Sequence, residues 1–212
     1  MSVATAPVIP RSILADSAEP AWDVARLFPA QGAWSEEEYL ALETNHLVEF
    51  SNGLLEVEQM PTQTHQFIVL FLCRALERLA SIRKLRTVLV APLRVRLWPG
   101  KYREPDVVFM LHEHADRRGE DYWDGADLVM EVVSSDDRAR DLETKRREYA
   151  QARIPEYWIV DMQDWYIDVL TLQGASYTLH GLFSRGDRAT SVLLPGFEVS
   201  VDDVFDAANA SQ

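Results

Sequence analysis

Residues 127–161 read DLVMEVVSSDDRARDLETKRREYAQARIPEYWIVD, and the fold is decided in this stretch. It opens on LVMEVV, a short apolar run of the kind that forms a strand buried on both faces. A helical pattern follows over residues 141–152, and Pro155, which has no amide hydrogen to offer a helix, stops it. EYWIVD then reads as a second buried strand, central in its sheet. The connection is long enough for a crossover, so strand, helix and strand predict a parallel βαβ unit. One residue of the first strand stands out. Glu131 has only apolar neighbours in sequence, and an ionised glutamate is almost never fully buried without a partner.

Two residues answer that demand. Asp106 follows Pro105 at the mouth of the apolar run VVFM, where a strand tolerates proline. Carboxylates on neighbouring strands share a site only if a proton or a cation relieves their repulsion. An oxygen-only site suits Mg²⁺ or Mn²⁺, which keep several waters and need one or two protein carboxylates. Lys145 lies on the helical stripe marked by Leu142, Tyr149 and Ala152, within about 30° of its centre at ~100° per residue. It therefore points inward, while Arg146 flanks the stripe and Arg147 faces away. A lysine turned toward Glu131 would stabilise developing negative charge or position an attacking water. The same residues fit a buried Lys–Glu pair without catalysis equally well.

Working outward, Ser35 before three glutamates reads as the N-cap of a short helix through Leu42. LVEF and LLEVE flank an Asn52-Gly53 hairpin turn, with Glu49 on the first strand. Thr64 is the expected cap of a long helix, HQFIVLFLCRALERLA, which is apolar on nearly every side and so predicted to be deeply buried, with a basic end at residues 81–84. TVLVAP and LRVRL read as strands and HEHADRRGEDYWDG as a polar loop, with His112, His114, His46 and His180 at the surface. YIDVLTL, ASYTLH and SVLLPGFEVSV supply a β-rich tail. The expected fold is a mixed α/β sheet of the α+β kind, with the long helix on one face and the 141–152 helix on the other. An N-terminal arm over residues 1–33, holding four of the ten prolines, precedes the domain at 34–205, and a flexible tail over 206–212 follows it.

Composition is that of an ordinary globular chain of 212 residues, which predicts a single domain. No apolar run of about 18 residues and no secretory start occurs, which predicts a cytoplasmic protein without a membrane span. Cys73, the single cysteine, has no internal disulfide partner and reads as a small buried hydrophobe; a multi-cysteine zinc site is excluded. The net charge of −13 opposes binding to phosphates. Yet fifteen of the 21 Lys and Arg fall in residues 74–103 and 138–153, so the chain offers either a locally basic face or two solvated faces.

PDVVF at 105–109 followed by the 127–161 stretch resembles Uma-two, a bacterial family of predicted restriction endonucleases within the PD-(D/E)XK nuclease superfamily. WSEEEYLAL, VEFSNGLLEVEQMP, the Thr64-His65-Gln66 step and LLPGFEVSVDDVF have counterparts there in the same order, so the likeness spans about residues 34–205. It implies a restriction-endonuclease-like fold and a Mg²⁺-dependent (or Mn²⁺-dependent) endonuclease acting on DNA. It also implies that Asp106 and Glu131 are metal ligands, that Lys145 completes the catalytic set, and that Glu49 and His65 support it. Cutting of both strands would imply a homodimer, with an apolar sheet edge as interface. The superfamily usually carries its lysine two residues beyond the acid, where this chain has Val133; the Uma-like pattern takes it from the following helix, at Lys145. A catalytically idle module that binds nucleic acid or a protein partner is the alternative, because a fold does not establish turnover.

Overall fold

The structure, a computed structural model, describes residues 29–83, 87–133 and 138–209. The arm's residues 1–28, the basic helix end at Lys84 and Arg86, the linker at 134–137 and residues 210–212 lie outside the described residues.

Helix α1 (Glu36–Leu40) starts where Ser35 accepts a hydrogen bond from the Glu38 amide and donates its own amide to the Glu38 carboxylate, a reciprocal cap. Strands β1 (Val48–Ser51) and β2 (Leu54–Val57) close through Asn52 and Gly53, both at positive φ, as a two-residue hairpin of matching twist requires. Then come α2 (Gln63–Arg83), β3 (Val88–Val90), β4 (Val95–Trp98), β5 (Lys101–Arg103), β6 (Val107–Phe109), β7 (Trp123–Asp124) and β8 (Leu128–Val133). A helix follows that begins as a π-helical turn (Arg140–Lys145) and continues as α3 (Arg146–Gln151). Strands β9 (Glu156–Asp161), β10 (Tyr166–Gln173), β11 (Ser176–Ser184), β12 (Arg188–Thr190) and β13 (Glu198–Ser200) lead to α4 (Val201–Asp206).

The parallel βαβ unit forms as the sequence predicts: β8 and β9 run parallel with Glu131 opposite Ile159. Their sheet has the order β11-β10-β9-β8-β6-β3, so β9 is interior. Its two faces take alternate residues of β8. Leu128, Met130 and Val132 meet Ile68, Val69, Leu72 and Leu76 of α2, while Val129 and Val133 meet Tyr149 and Ala150 of α3. The helices thus lie on opposite faces, in keeping with the period-2 alternation of a strand.

Several expectations need correction. There are two main sheets instead of one, the second ordered β2-β1-β5-β4-β7, plus a β12-β13 ribbon. The chain passes between the sheets at Glu104-Pro105-Asp106, where Pro105 has no amide hydrogen with which to continue a ladder. Helix α2 is capped by Thr62, whose hydroxyl accepts from the His65 amide at 3.2 Å, and not by Thr64. It packs on one side only, so Leu70 is 39% exposed and Cys73 half-buried. Helix α1 ends at Leu40, not Leu42. SVLL is not a strand, and the chain after β13 turns helical because Ser200 caps α4 through the Asp203 amide. Asp206 closes that helix and Ala207–Asn209 adds one 3₁₀ turn. Among the described residues no helix is long and apolar enough to cross a membrane.

Candidate active site

A cavity of about 210 Å³ opens where the two sheets meet the start of α2, and His65, Asp106, Glu131, Asp141 and Lys145 line it. Register explains the meeting of the carboxylates. Val107 pairs with Met130 across β6 and β8, so Asp106 and Glu131, one step further out on each strand, come abreast. Asp106 Oδ2 accepts the Val132 amide at 2.7 Å and lies 3.2 Å from His65 Nε2. Because that oxygen can only accept, Nε2 carries the imidazole proton. Burial works against a charged His65, but the bond to Asp106 more than offsets it and holds the ring above the ordinary histidine range.

Lys145 Nζ sits 3.1 Å from Glu131 Oε2 and 3.0 Å from Asp141 Oδ1, and all three side chains are buried. Tyr149, one turn on, donates its hydroxyl to Glu131 Oε1 at 2.5 Å. Burial pushes Glu131 well above the usual carboxylate range, against the pull of Lys145, and Asp106 and Asp141 push it in the same direction. Burial disfavours the charge of Lys145, but Glu131, Asp141 and Glu49 together hold it protonated above the ordinary lysine range. The helical stripe read from sequence thus brings Lys145 to the acids, with Arg146 half-buried and Arg147 exposed as its phase requires.

Glu49 lies behind this site rather than in it. It is fully buried, 3.9 Å from Lys145, and it pairs with Arg103 and Arg140 and accepts the Glu104 amide at 3.0 Å. Burial raises its pKa, but Lys145, Arg103 and Arg140 bring it down to about 2. Of the cations in the two basic segments, Arg94, Arg96, Lys101, Arg103, Arg138, Arg140 and Lys145 are paired with carboxylates. Arg103 also holds Glu148 with two nitrogens, at 2.7 and 3.0 Å, and Arg140 binds Glu56 and Glu58 as well. Arg96 pairs with Asp124, Lys101 with Glu148, and Arg138 with Asp161 and Asp164. Of the four histidines read as surface residues, His114, its side chain 40% exposed, bonds the buried Asp127 at 2.8 Å.

Asp141 was missed by sequence reasoning. Its signal was there: an acid four residues before Lys145, on the same helical face. Glu58 and Glu104 also line the cavity and had no local signal. Among the described residues no three carboxylate, imidazole or thiolate groups are arranged to enclose a metal ion. The donor set still suits a hard dication that keeps most of its waters. Two carboxylates stand abreast, both bonds to Asp106 fall on one oxygen, and Lys145 pairs with Glu131 and Asp141.

The model of the Uma2 family, described as "Putative restriction endonuclease", matches residues 36–202. The chain belongs to the Uma2 family. The match covers both sheets and every residue lining the cavity, and it agrees with the likeness carried by the PDVVF and 127–161 stretches. The crystal structure of "a putative nuclease belonging to DUF820" from Anabaena variabilis ATCC 29413 is similar to this Uma2 protein with a TM-score of 0.68, covering 82% of this chain and 99% of that one at 15% identity. At that identity the likeness bears on the fold, a mixed α+β nuclease fold. No curated protein matches the chain.

Proposed function

We infer that this Uma2 protein is a metal-dependent endonuclease acting on DNA, with Asp106, Glu131 and Lys145 as its catalytic residues and Glu49 and His65 in support. The observation that carries the reading is a protonated, buried Lys145 set 3.1 Å from Glu131 in a cavity that Asp106 also lines. Asp106 and Glu131 would hold Mg²⁺ or Mn²⁺, which when bound activates water and polarises the phosphate. Lys145 contributes fixed positive charge beside the attacked phosphate, where a water-poor surrounding makes it worth far more than in bulk solvent. Tyr149 and Asp141 hold Glu131 and Lys145 in place, His65 orients Asp106, and Glu49 keeps Lys145 charged from behind.

Purified protein with Mg²⁺ or Mn²⁺ is expected to nick plasmid or single-stranded DNA, and Asp106→Ala, Glu131→Ala and Lys145→Ala to abolish the activity alike. An unaffected Lys145→Ala enzyme would remove the lysine from the mechanism. A second reading, an idle nuclease-fold module that binds nucleic acid or a partner, draws on the lack of three convergent metal donors among the described residues. It predicts DNA binding with no calorimetric uptake of Mg²⁺ or Mn²⁺.

A further inference from the structure

A second cavity, of about 370 Å³, adjoins the first. Asp106, Leu47, Met60 and Pro61 line both, so a molecule held at Asp106 can extend its neighbouring group into the second space. The chemistry of this slot differs from that of the site. Met60 and Pro61 form part of it, Val69 and Leu70 of α2 another part, and Val90 to Pro92 the rest of its apolar lining. Asp106 and His46 are its only ionisable side chains, so a phosphate would find no fixed cation there. Met60 is 66% and Leu70 39% exposed, large apolar side chains left in water beside a polar site. Two neutral amides, Asn45 and Gln66, complete the slot, both on exposed residues. Aliphatic walls with amide groups at hand suit a nucleobase, whose faces are apolar and whose edge exchanges hydrogen bonds with Asn and Gln.

The charge inventory points the same way. Arg96, Lys101, Arg103, Arg138 and Arg140 are engaged with carboxylates, so affinity for DNA cannot rest on those cations contacting phosphates. A contact to the base adds affinity that these five cations do not supply. We propose that the slot receives the nucleobase adjoining the phosphate at Asp106, so that the substrate is a single-stranded or locally opened stretch of DNA, with Asn45 and Gln66 reading the base edge. A base inside a stacked duplex could not enter it. This proposal rests on the nuclease reading for the placement of the phosphate.

The test uses the full-length protein and single-stranded oligodeoxynucleotides in which one abasic residue is moved along the strand. Binding is followed by fluorescence anisotropy with Ca²⁺ in place of Mn²⁺, so that a dication still offsets the carboxylates beside the phosphate, and cleavage by gel with Mn²⁺. One abasic position, next to the cut, is expected to weaken binding about fivefold or more, the loss given by returning ~40 Å² of apolar surface to water. Leu70→Ser and the Asn45→Ala/Gln66→Ala pair should shrink that difference between intact and abasic strands, with unchanged circular dichroism. Cleavage that proceeds with no abasic position affecting binding would overturn the slot and leave the nuclease reading intact. An abasic effect without any cleavage would support the slot and count against catalysis. Tighter binding of the matching duplex than of the single strand would overturn the requirement for an unstacked base.

Discussion

Replacing Lys145 by methionine keeps most of the stem and removes the charge, which leaves Glu131 and Asp141 buried without their common partner. Removing one member of a buried pair costs about 3–5 kcal/mol, a large part of the ~5–15 kcal/mol that holds a domain folded. The penalty is pH-dependent, and its sign can be worked out. Burial already pushes Glu131 well above its ordinary 4.5, and Lys145 is the strongest influence pulling it down, so losing the lysine sends it higher. A carboxyl with a folded pKa above its unfolded one binds protons more readily when folded. Stability of Lys145→Met is therefore greatest near pH 4.5 and falls as pH rises toward the elevated folded value, by about 1.4 kcal/mol per pH unit for one proton. Relative to the parent, the deficit should be smallest at acid pH, where Glu131 is protonated in both proteins, and widen toward alkaline pH. Urea melts followed by tryptophan fluorescence across that range measure it. Mg²⁺ should raise the variant's midpoint more than the parent's, because a dication at Asp106 and Glu131 replaces the missing charge. A deficit below about 1 kcal/mol at every pH would refute the buried pairing.

Tyr149→Phe deletes the hydroxyl that bonds Glu131 and should cost about 1.5–3 kcal/mol, the range for a bond to a charged group, read from denaturant midpoints. Asp106→Asn keeps the side chain's shape and an acceptor for the Val132 amide, so melting should shift little, while Mn²⁺-supported nicking falls ~100-fold or more and calorimetric Mn²⁺ uptake is lost. Burial, helped by the charge of Glu49, pushes Glu58 up to about 7 and Glu104 up to about 8. Both lie above their unfolded values, so stability should decline as pH rises from about 4.5 to 8, and Glu104→Gln should flatten the upper part of that slope in urea melts at stepped pH. Arg103→Met leaves the buried Glu49 to Arg140 and Lys145 and Glu148 to Lys101; a loss of about 2–3 kcal/mol, below the ~3–5 kcal/mol of a wholly unpaired charge, is expected, checked by thermal melting.

Much of the site could be read from sequence because the signals were local. Glu131 declared itself by sitting in an apolar strand, Lys145 by its helical phase, and Asp106 by following Pro105 at a strand's start. Tyr149, read from sequence as part of the apolar stripe, is the donor to Glu131. Asp141 was overlooked because acids in a helix's first turn usually serve its dipole and solvent. The basic segments left a locally basic face and two solvated faces both open, because counting charges along the chain says nothing about which carboxylate each cation will meet.

That division has a physical basis. Strand and helix periodicity, the Ser35 cap, the Asn52-Gly53 turn and the stop at Pro155 depend on residues within a few positions of one another, and sequence alone determined them. The split into two sheets, the burial of Glu49 between Arg103 and Arg140, and the apolar slot beside Asp106 join residues tens of positions apart. Such contacts depend on how whole elements pack and on which charges lose their water together, so only the tertiary structure decided them.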